Sequence, residues 1–202
     1  MIIKSLFAVT ALLSILLLSG CAHSGARYID SQGTETIVSL NQINIQDWSN
    51  AADQLVQSLL TSGVLERAPR QPAVLAISRI INNTQQHVDT DSLVKKIRVS
   101  LNRTGKVATT MTMGLGGRAE DPLAKEAAEY AAFMNDQPAA STTTMPDYTL
   151  TAKLLEDRAK AGRTRQTTYS FQMSLTAVAS GLAVWEDEVQ ITKSGRKPSV
   201  GW

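Results

Sequence analysis

The last third of the chain alternates apolar and polar side chains with a period of two, which is the repeat of a half-buried β-strand. In residues 148–154 and 169–177 every second residue is apolar or aromatic, and the residues between them are Thr, Ser, Gln or Lys. Residues 182–191 alternate less strictly, and the Ser180–Gly181 pair before them predicts a tight hairpin turn. The pattern therefore predicts three consecutive antiparallel strands with one buried face and one polar face.

The segment before these strands has a different periodicity. Apolar residues recur at helical spacing in 46–63 and 89–105, and residues 123–136 are an Ala-rich predicted helix. Asp89 or Thr90 is the expected N-cap of the second helix. The apolar segments 72–81 and 106–113 predict two strands connected through that helix, and such a crossover makes them parallel. The expected fold is α/β of the mixed α+β kind: one mixed, largely antiparallel sheet with helices packed on it.

The single cysteine of the chain directly follows an apolar N-terminal segment. Lys4 precedes an apolar stretch from Leu6 to Leu18, about 13 residues, which at about 1.5 Å per residue is too short to span a bilayer core. The residues Leu18-Ser19-Gly20-Cys21 that follow match the signal motif of bacterial lipoproteins. We therefore predict a signal peptide over residues 1–20 and lipidation of Cys21. Ala22 in place of Asp predicts delivery to the outer membrane, with the protein facing the periplasm.

Removal of the signal peptide leaves a nearly neutral chain. It takes away one Lys and no acidic residue, so 19 Lys and Arg remain against 18 Asp and Glu, and the net charge falls from +2 to +1. A charge this small gives no support for nucleic-acid binding. We expect residues 21–40 to be the lipidated Cys and a short tether, residues 41–193 a single globular domain, and residues 194–202 a C-terminal tail.

The sequence contains no recognisable catalytic motif of the G-x-S-x-G, H-E-x-x-H or Walker type. Glu186, Asp187 and Glu188 are consecutive, so in a strand their side chains alternate between faces and do not converge on one metal. We therefore expect a protein that is not an enzyme and takes no cofactor, metal or small-molecule substrate. One alternative stays open, a hydrolase or glycan-binding site that uses His87 and Asp89.

Two segments are candidate recognition surfaces. The predicted hairpin 156–166 carries Arg158, Lys160, Arg163 and Arg165 around a glycine turn, a charge pattern that would attract an acidic partner or anionic glycan and lipid groups. The loop 81–90 offers Asn83 and His87. Each segment also has a plain structural explanation, a solvated turn in the first case and backbone bonding with helix capping in the second.

The loop 81–90 lies within a longer segment that resembles a known family. Residues 73–107, AVLAISRIINNTQQHVDTDSLVKKIRVSLNRTGKV, resemble the LpoB family in having a strand that ends in Asn-x-Thr, an Asp-Thr helix start and an Arg-containing helix that closes on Thr-Gly-Lys. The segment DWSNAADQLVQSLL before them resembles the first helix of that family. Residues 146–154 and 167–193 resemble its closing strands, so the resemblance covers about 41–193.

The resemblance implies a non-enzymatic mixed α/β domain that docks on a class A penicillin-binding protein and stimulates peptidoglycan synthesis. The well-known members carry a long Pro-rich tether, whereas this chain has no Pro between Cys21 and Pro69. As a flexible coil, residues 22–45 would span only about 30 Å. This short tether favours the alternative function, an accessory or assembly lipoprotein of another outer-membrane complex such as secretion or surface-appendage machinery.

Overall fold

The structure is a computed structural model that describes residues 38–40, 42–113, 119–135 and 144–196. The predicted signal peptide, Cys21, most of the predicted tether and residues 197–202 lie outside these ranges. In the described part, no helix is both long enough and apolar enough to cross a membrane. The elements are, in chain order, α1 (Ile45–Thr61), a 3-10 turn (Leu65–Arg67), β1 (Ala73–Ile77), β2 (Ile81–Asn83), α2 (Thr90–Arg103), β3 (Val107–Thr109), α3 (Pro122–Met134), β4 (Tyr148–Ala161), β5 (Thr164–Ala177) and β6 (Ala183–Arg196).

The described strands form one open, mixed sheet. Its order is β3-β1-β4-β5-β6, and β2 pairs with β4 farther along that strand than β1 does. The pairs β1–β3, β1–β4 and β2–β4 are parallel, and β4–β5 and β5–β6 are antiparallel. The predicted mixed α+β fold is confirmed. The assignment of residues 81–83 to a loop was wrong, because three residues are too few to show a period.

The predicted alternation separates the two faces of the sheet. The face covered by helices carries the buried side chains of β4 and β5, which are Tyr148, Leu150, Ala152, Leu154, Tyr169, Phe171, Met173 and Leu175. The opposite face, called the open face here, carries the polar residues between them. On β6, Trp185, Val189 and Ile191 share the covered face, but as residues of an edge strand they are only partly buried against the core.

Helices α1 and α2 cover this apolar face. Trp48 of α1 packs edge-on against Tyr169 and Phe171, with ring centroids 6.0 and 5.8 Å apart. Asp89 is the N-cap of α2, as predicted, and its Oδ1 accepts a hydrogen bond from Ser92 N at 3.0 Å. Helix α3 differs, because Ala132 is its only buried residue. The apolar side chains that it leaves exposed are Leu123, Tyr130, Phe133 and Met134.

The β4–β5 hairpin is longer than the sequence pattern predicts. Ala161 pairs with Thr164, which leaves a two-residue turn at Gly162–Arg163, where Gly162 has a φ of +57° that favours glycine. Each strand has 14 residues, so the hairpin is roughly 45 Å long at about 3.3 Å per residue. Strand β6 continues beside it to Arg196, so residues 194–196, expected at the start of a C-terminal tail, are paired with β5.

Candidate functional site

The turn end of the β4–β5 hairpin collects the predicted basic residues on neighbouring strands. Lys160 on β4 is paired with Arg165 on β5, Arg158 is paired with Thr167, and Arg163 lies in the turn. Strand alternation places Arg158, Lys160 and Arg165 on the same side of the sheet as the core. Arg158, Lys160 and Arg163 are exposed, because the helices do not cover this end.

A fifth cation lies at the same end. Arg196 ends β6 and pairs with Thr164. Residues 158–167 and 194–196 contain no Asp or Glu. We call the set Arg158, Lys160, Arg163, Arg165 and Arg196 the cationic tip. Sequence reasoning missed Arg196, because the apolar periodicity of β6 ends at Ile191 and nothing in the pattern showed that pairing continues beyond it.

The cationic tip contains a small cleft. Its volume is about 240 Å³, and Arg158, Lys160 and Arg165 line it together with Ala159, Gln166 and Thr167. Thr167 is buried and forms the inner end of the tip. A cleft lined by three cations suits an anionic group such as a carboxylate or a phosphate, which guanidinium groups bind through paired hydrogen bonds.

Glu156 connects the cationic tip to the loop that follows β2. Its side chain is only 3% exposed, its Oε1 accepts a hydrogen bond from Arg158 Nε, and its Oε2 accepts one from Gln85 N at 2.8 Å. Burial raises the pKa of the neighbouring Tyr169 hydroxyl, and the Glu156 charge adds to the rise. The two surfaces that the sequence suggested separately are therefore adjacent, with Asn83 paired to Leu155 of β4.

The loop between β2 and α2 is held by its own polar side chains. Asn82 Nδ2 donates to Gln86 O at 2.8 Å, and Asn82 Oδ1 accepts from Thr84 N at 3.0 Å. Gln86 then bonds both backbone groups of Ile43, at 2.9 Å to the N–H and 2.7 Å to the carbonyl. The side chains of Asn83 and His87 remain exposed on this fixed loop.

His87 lies on a shallow groove of about 320 Å³. The lining residues are Ile43, Ile45, Trp48, Gln86, His87, Val88, Asp89 and Ser92. Asp89 serves here as a helix cap, and the hydrogen bonds from the Ser92 hydroxyl and backbone N–H lower its pKa. A carboxylate held this way is a poor general base. Among the described residues, no group of three or more His, Cys, Asp and Glu could hold a metal ion.

The segment that leads into the domain contacts the end of β6 beside the cationic tip. Leu40 packs over Gly195, with its Cδ2 3.4 Å from where a Cβ would stand, and Gly195 pairs with Arg165. Lys193 Nζ donates to Gln42 O at 2.9 Å and to the Asp47 carboxylate at 2.8 Å. The polypeptide therefore enters the domain at the end that carries the cations.

The structure places four of the six predicted contact residues, Arg158, Lys160, Arg163 and Arg165, at the turn end of the hairpin. The other two, Asn83 and His87, lie on the neighbouring segment, which Gln85 connects to this end through Glu156. The role of all six in partner binding stays a prediction, as does the lipidation of Cys21, which lies outside the described residues. Because Gln85 and Glu156 are 71 positions apart, no local signal in the sequence could have shown this clustering.

Comparison with known proteins points to one family. The model of a family described as peptidoglycan-synthase activator LpoB matches residues 47–191. A search of curated protein sequences found no match. Similar solved structures include the LpoB C-terminal domain from Salmonella enterica, at 16% identity and a TM-score of 0.43, with 72% of this chain and 98% of that one covered. The LpoB C-terminal domain from Escherichia coli has 15% identity, the same TM-score and the same coverage. Lipoprotein GNA1162 from Neisseria meningitidis has 13% identity and a TM-score of 0.36, with 64% and 88% covered.

Proposed function

The chain belongs to the LpoB family of peptidoglycan-synthase activators, and on this premise we propose that it is a non-catalytic lipoprotein that binds a class A penicillin-binding protein and stimulates it. The observation that carries the proposal is the family match over residues 47–191, which runs from the first turn of α1 into β6. No catalytic group of its own is needed for this role.

An activator of this kind works through differential affinity. It raises the rate of the synthase only if it binds the active conformation more tightly than the resting one, and the ratio of the two affinities limits the increase. The domain therefore needs a preorganised contact surface. The loop 84–89, tied to Ile43 through Gln86 and to β4 through Glu156, meets this requirement because little conformational entropy remains to be lost on binding.

We assign the contact surface to the cationic tip together with Asn83 and His87. Three cations that line an open cleft, with Arg163 and Arg196 at the same strand ends, fit an acidic face of the partner, where charge-assisted hydrogen bonds give orientation as well as attraction. In the same proposal Cys21 carries the acyl chains, which anchor the protein to the outer membrane, and the domain faces the periplasm.

The test uses the mature chain with Cys21→Ser, which prevents acylation, and a purified class A synthase from the same cell. Binding is measured by fluorescence titration, and glycan polymerisation is followed with and without the domain. We expect saturable binding and a faster rate. The variant Lys160→Gln/Arg165→Gln should weaken both effects, whereas Lys95→Gln/Lys153→Gln, which removes two exposed cations elsewhere, should not. Absence of binding at tens of micromolar would remove the proposal.

A second candidate function is an accessory subunit of another outer-membrane complex. The observation that favours it is the short link, since only residues 22–37 separate Cys21 from the first described residue, Val38. Fully extended, this link spans at most roughly 60 Å, which keeps a contact surface at the entry end of the domain near the outer membrane. Co-purification of the tagged chain with an outer-membrane complex, and with no synthase, would favour this function.

A further inference from the structure

The cationic tip combines a concentration of positive charge with a position beside the point where the chain enters the domain. Its charges come from three adjacent strand ends, β4, β5 and β6, and residues 158–167 and 194–196 contain no Asp or Glu. The nearly buried Glu156 pairs with Arg158, so the net charge of the tip together with Glu156 is +4. A surface dominated by one sign of charge attracts targets of the opposite sign, and an anionic membrane presents that sign over its whole surface.

The cationic tip lies close to the point where the chain enters the domain. Leu40 packs over Gly195 directly beside Arg165, and Lys193 binds Gln42 O at 2.9 Å. The described chain therefore begins at the tip end and not at the other end of the hairpin, which is roughly 45 Å away at about 3.3 Å per residue. Of all parts of the domain, the tip end has the shortest path along the chain to Cys21.

We propose that the cationic tip binds the anionic phospholipid headgroups of the membrane that carries the Cys21 anchor, and so holds the domain against that membrane until a protein partner takes over the tip. The inference rests on the proposed lipidation and contact surface, and it adds a mode of regulation to them. The cleft lined by Arg158, Lys160 and Arg165 receives a headgroup phosphate, and Arg163 and Arg196 contact neighbouring headgroups.

The strength of such binding follows from the charges. Each Lys or Arg close to an anionic membrane strengthens binding by about fivefold, and the effect extends only about 8 Å in physiological salt. Cations at the tip therefore contribute, and exposed cations elsewhere, such as Lys95 and Lys153, contribute little. The acyl anchor keeps the tip at a high effective concentration near the lipid, so even a weak headgroup site would be filled.

The test measures how the mature Cys21→Ser chain, which has no acyl anchor, binds to vesicles of phosphatidylethanolamine with phosphatidylglycerol and to vesicles of phosphatidylcholine alone. We expect binding to the anionic vesicles only, with loss on addition of salt. Lys160→Gln/Arg165→Gln should lower the affinity by roughly 25-fold, the product of two fivefold effects. Lys95→Gln/Lys153→Gln has the same net charge and should bind nearly as the unmodified sequence does.

Three results would overturn the inference: equal binding to both kinds of vesicle, no binding to either, or an equal loss for the two double variants. The last result would mean that the net charge of the chain, and not the position of the charges, determines vesicle binding.

The synthase titration separates this inference from the proposed function. A chain that binds synthase and not vesicles contradicts the lipid contact alone, and a chain that binds vesicles and not synthase contradicts the activator role alone. If both bind, synthase should release the chain from vesicles, and simultaneous binding of both at the tip contradicts the proposed regulation.

Discussion

The inner and outer halves of the β4–β5 hairpin share one continuous register and differ in what surrounds them. The inner half, from Tyr148 to Leu155, lies beside β1 and β2 and buries every second side chain under α1 and α2. The outer half, from Arg158 to the turn, keeps the same backbone pairing, and apart from the buried Thr167 its side chains are exposed or half-buried. A pair of strands that is anchored in a core can thus extend beyond that core. In the extension, the side chains are not needed for packing and are available for recognition.

The largest expected effect of a substitution belongs to the inner half. Phe171→Ala should lower the free energy of unfolding by about 3–5 kcal/mol, because Phe171 is fully buried against Trp48 and its removal leaves a cavity. Phe133→Ala is the matched control, since Phe133 on α3 is 80% exposed and should change stability by less than about 0.5 kcal/mol. Urea denaturation followed by tryptophan fluorescence measures both. Equal losses of stability in the two variants would contradict the burial of Phe171 and the exposure of Phe133.

An intermediate effect is expected where the two halves meet. Glu156→Gln keeps the shape of the side chain but removes the charge that holds Arg158 and Gln85 N, and it should cost about 1–2 kcal/mol. The Arg158 contribution is reduced by solvent, because this side chain is 44% exposed. Faster hydrogen exchange at the Gln85 amide should accompany the loss. Glu188→Gln, on the open face, should leave that amide unchanged, and an equal change in both variants would remove the assigned role of Glu156.

Asp147, at the start of β4, should give the inner half a dependence on pH. Burial alone would raise the pKa of Asp147, but the hydrogen bonds from Arg70 and Val74 N and the Arg70 charge outweigh it, so the pKa is lowered. A carboxyl whose pKa is lower in the folded state stabilises the fold above its unfolded value of about 3.9, and this contribution is lost as the pH falls through the folded value. Asp147→Asn should cost about 1 kcal/mol at neutral pH and should flatten the stability curve below about pH 4. Parallel curves for the two proteins would contradict this.

The smallest expected change in stability belongs to the outer half. Lys160→Gln/Arg165→Gln should alter the free energy of unfolding by less than about 0.5 kcal/mol, because among the described residues neither side chain has an ion-pair partner. Thermal denaturation should give the same midpoint as for the unmodified chain. A loss approaching that of Glu156→Gln would mean that the tip stabilises the fold, and the contrast between the halves would disappear.

The sequence predicted the inner half much better than the outer half, for a physical reason. Burial imposes a period of two on Tyr169, Phe171, Met173 and Leu175, and that period can be read directly. Asp89 was also predictable as a cap, because capping acts over three residues. In the outer half no burial constrains the side chains, so neither the strand length nor the position of Arg196 leaves a periodic signal.

Contacts between distant parts of the chain account for the rest of what sequence reasoning missed. Gln86 bonds Ile43 across 43 positions, Gln85 bonds Glu156 across 71, and Lys193 bonds Asp47 across 146. Apart from the apolar Ile43, each of these residues looks like an ordinary surface residue in the sequence. Together they bring the loop after β2 and the chain entry beside the outer half of the hairpin, and this convergence defines the candidate site.

The most direct test of the account compares the affinity of a purified class A synthase for the unmodified mature domain and for Lys160→Gln/Arg165→Gln, alongside the thermal midpoint of each. The account predicts saturable binding by the unmodified domain, binding at least tenfold weaker for the variant, and equal thermal midpoints. A tenfold loss of affinity corresponds to about 1.4 kcal/mol of lost binding free energy. Equal affinities with equal midpoints would contradict the account, because the cationic tip would then serve neither the fold nor the recognition of a synthase.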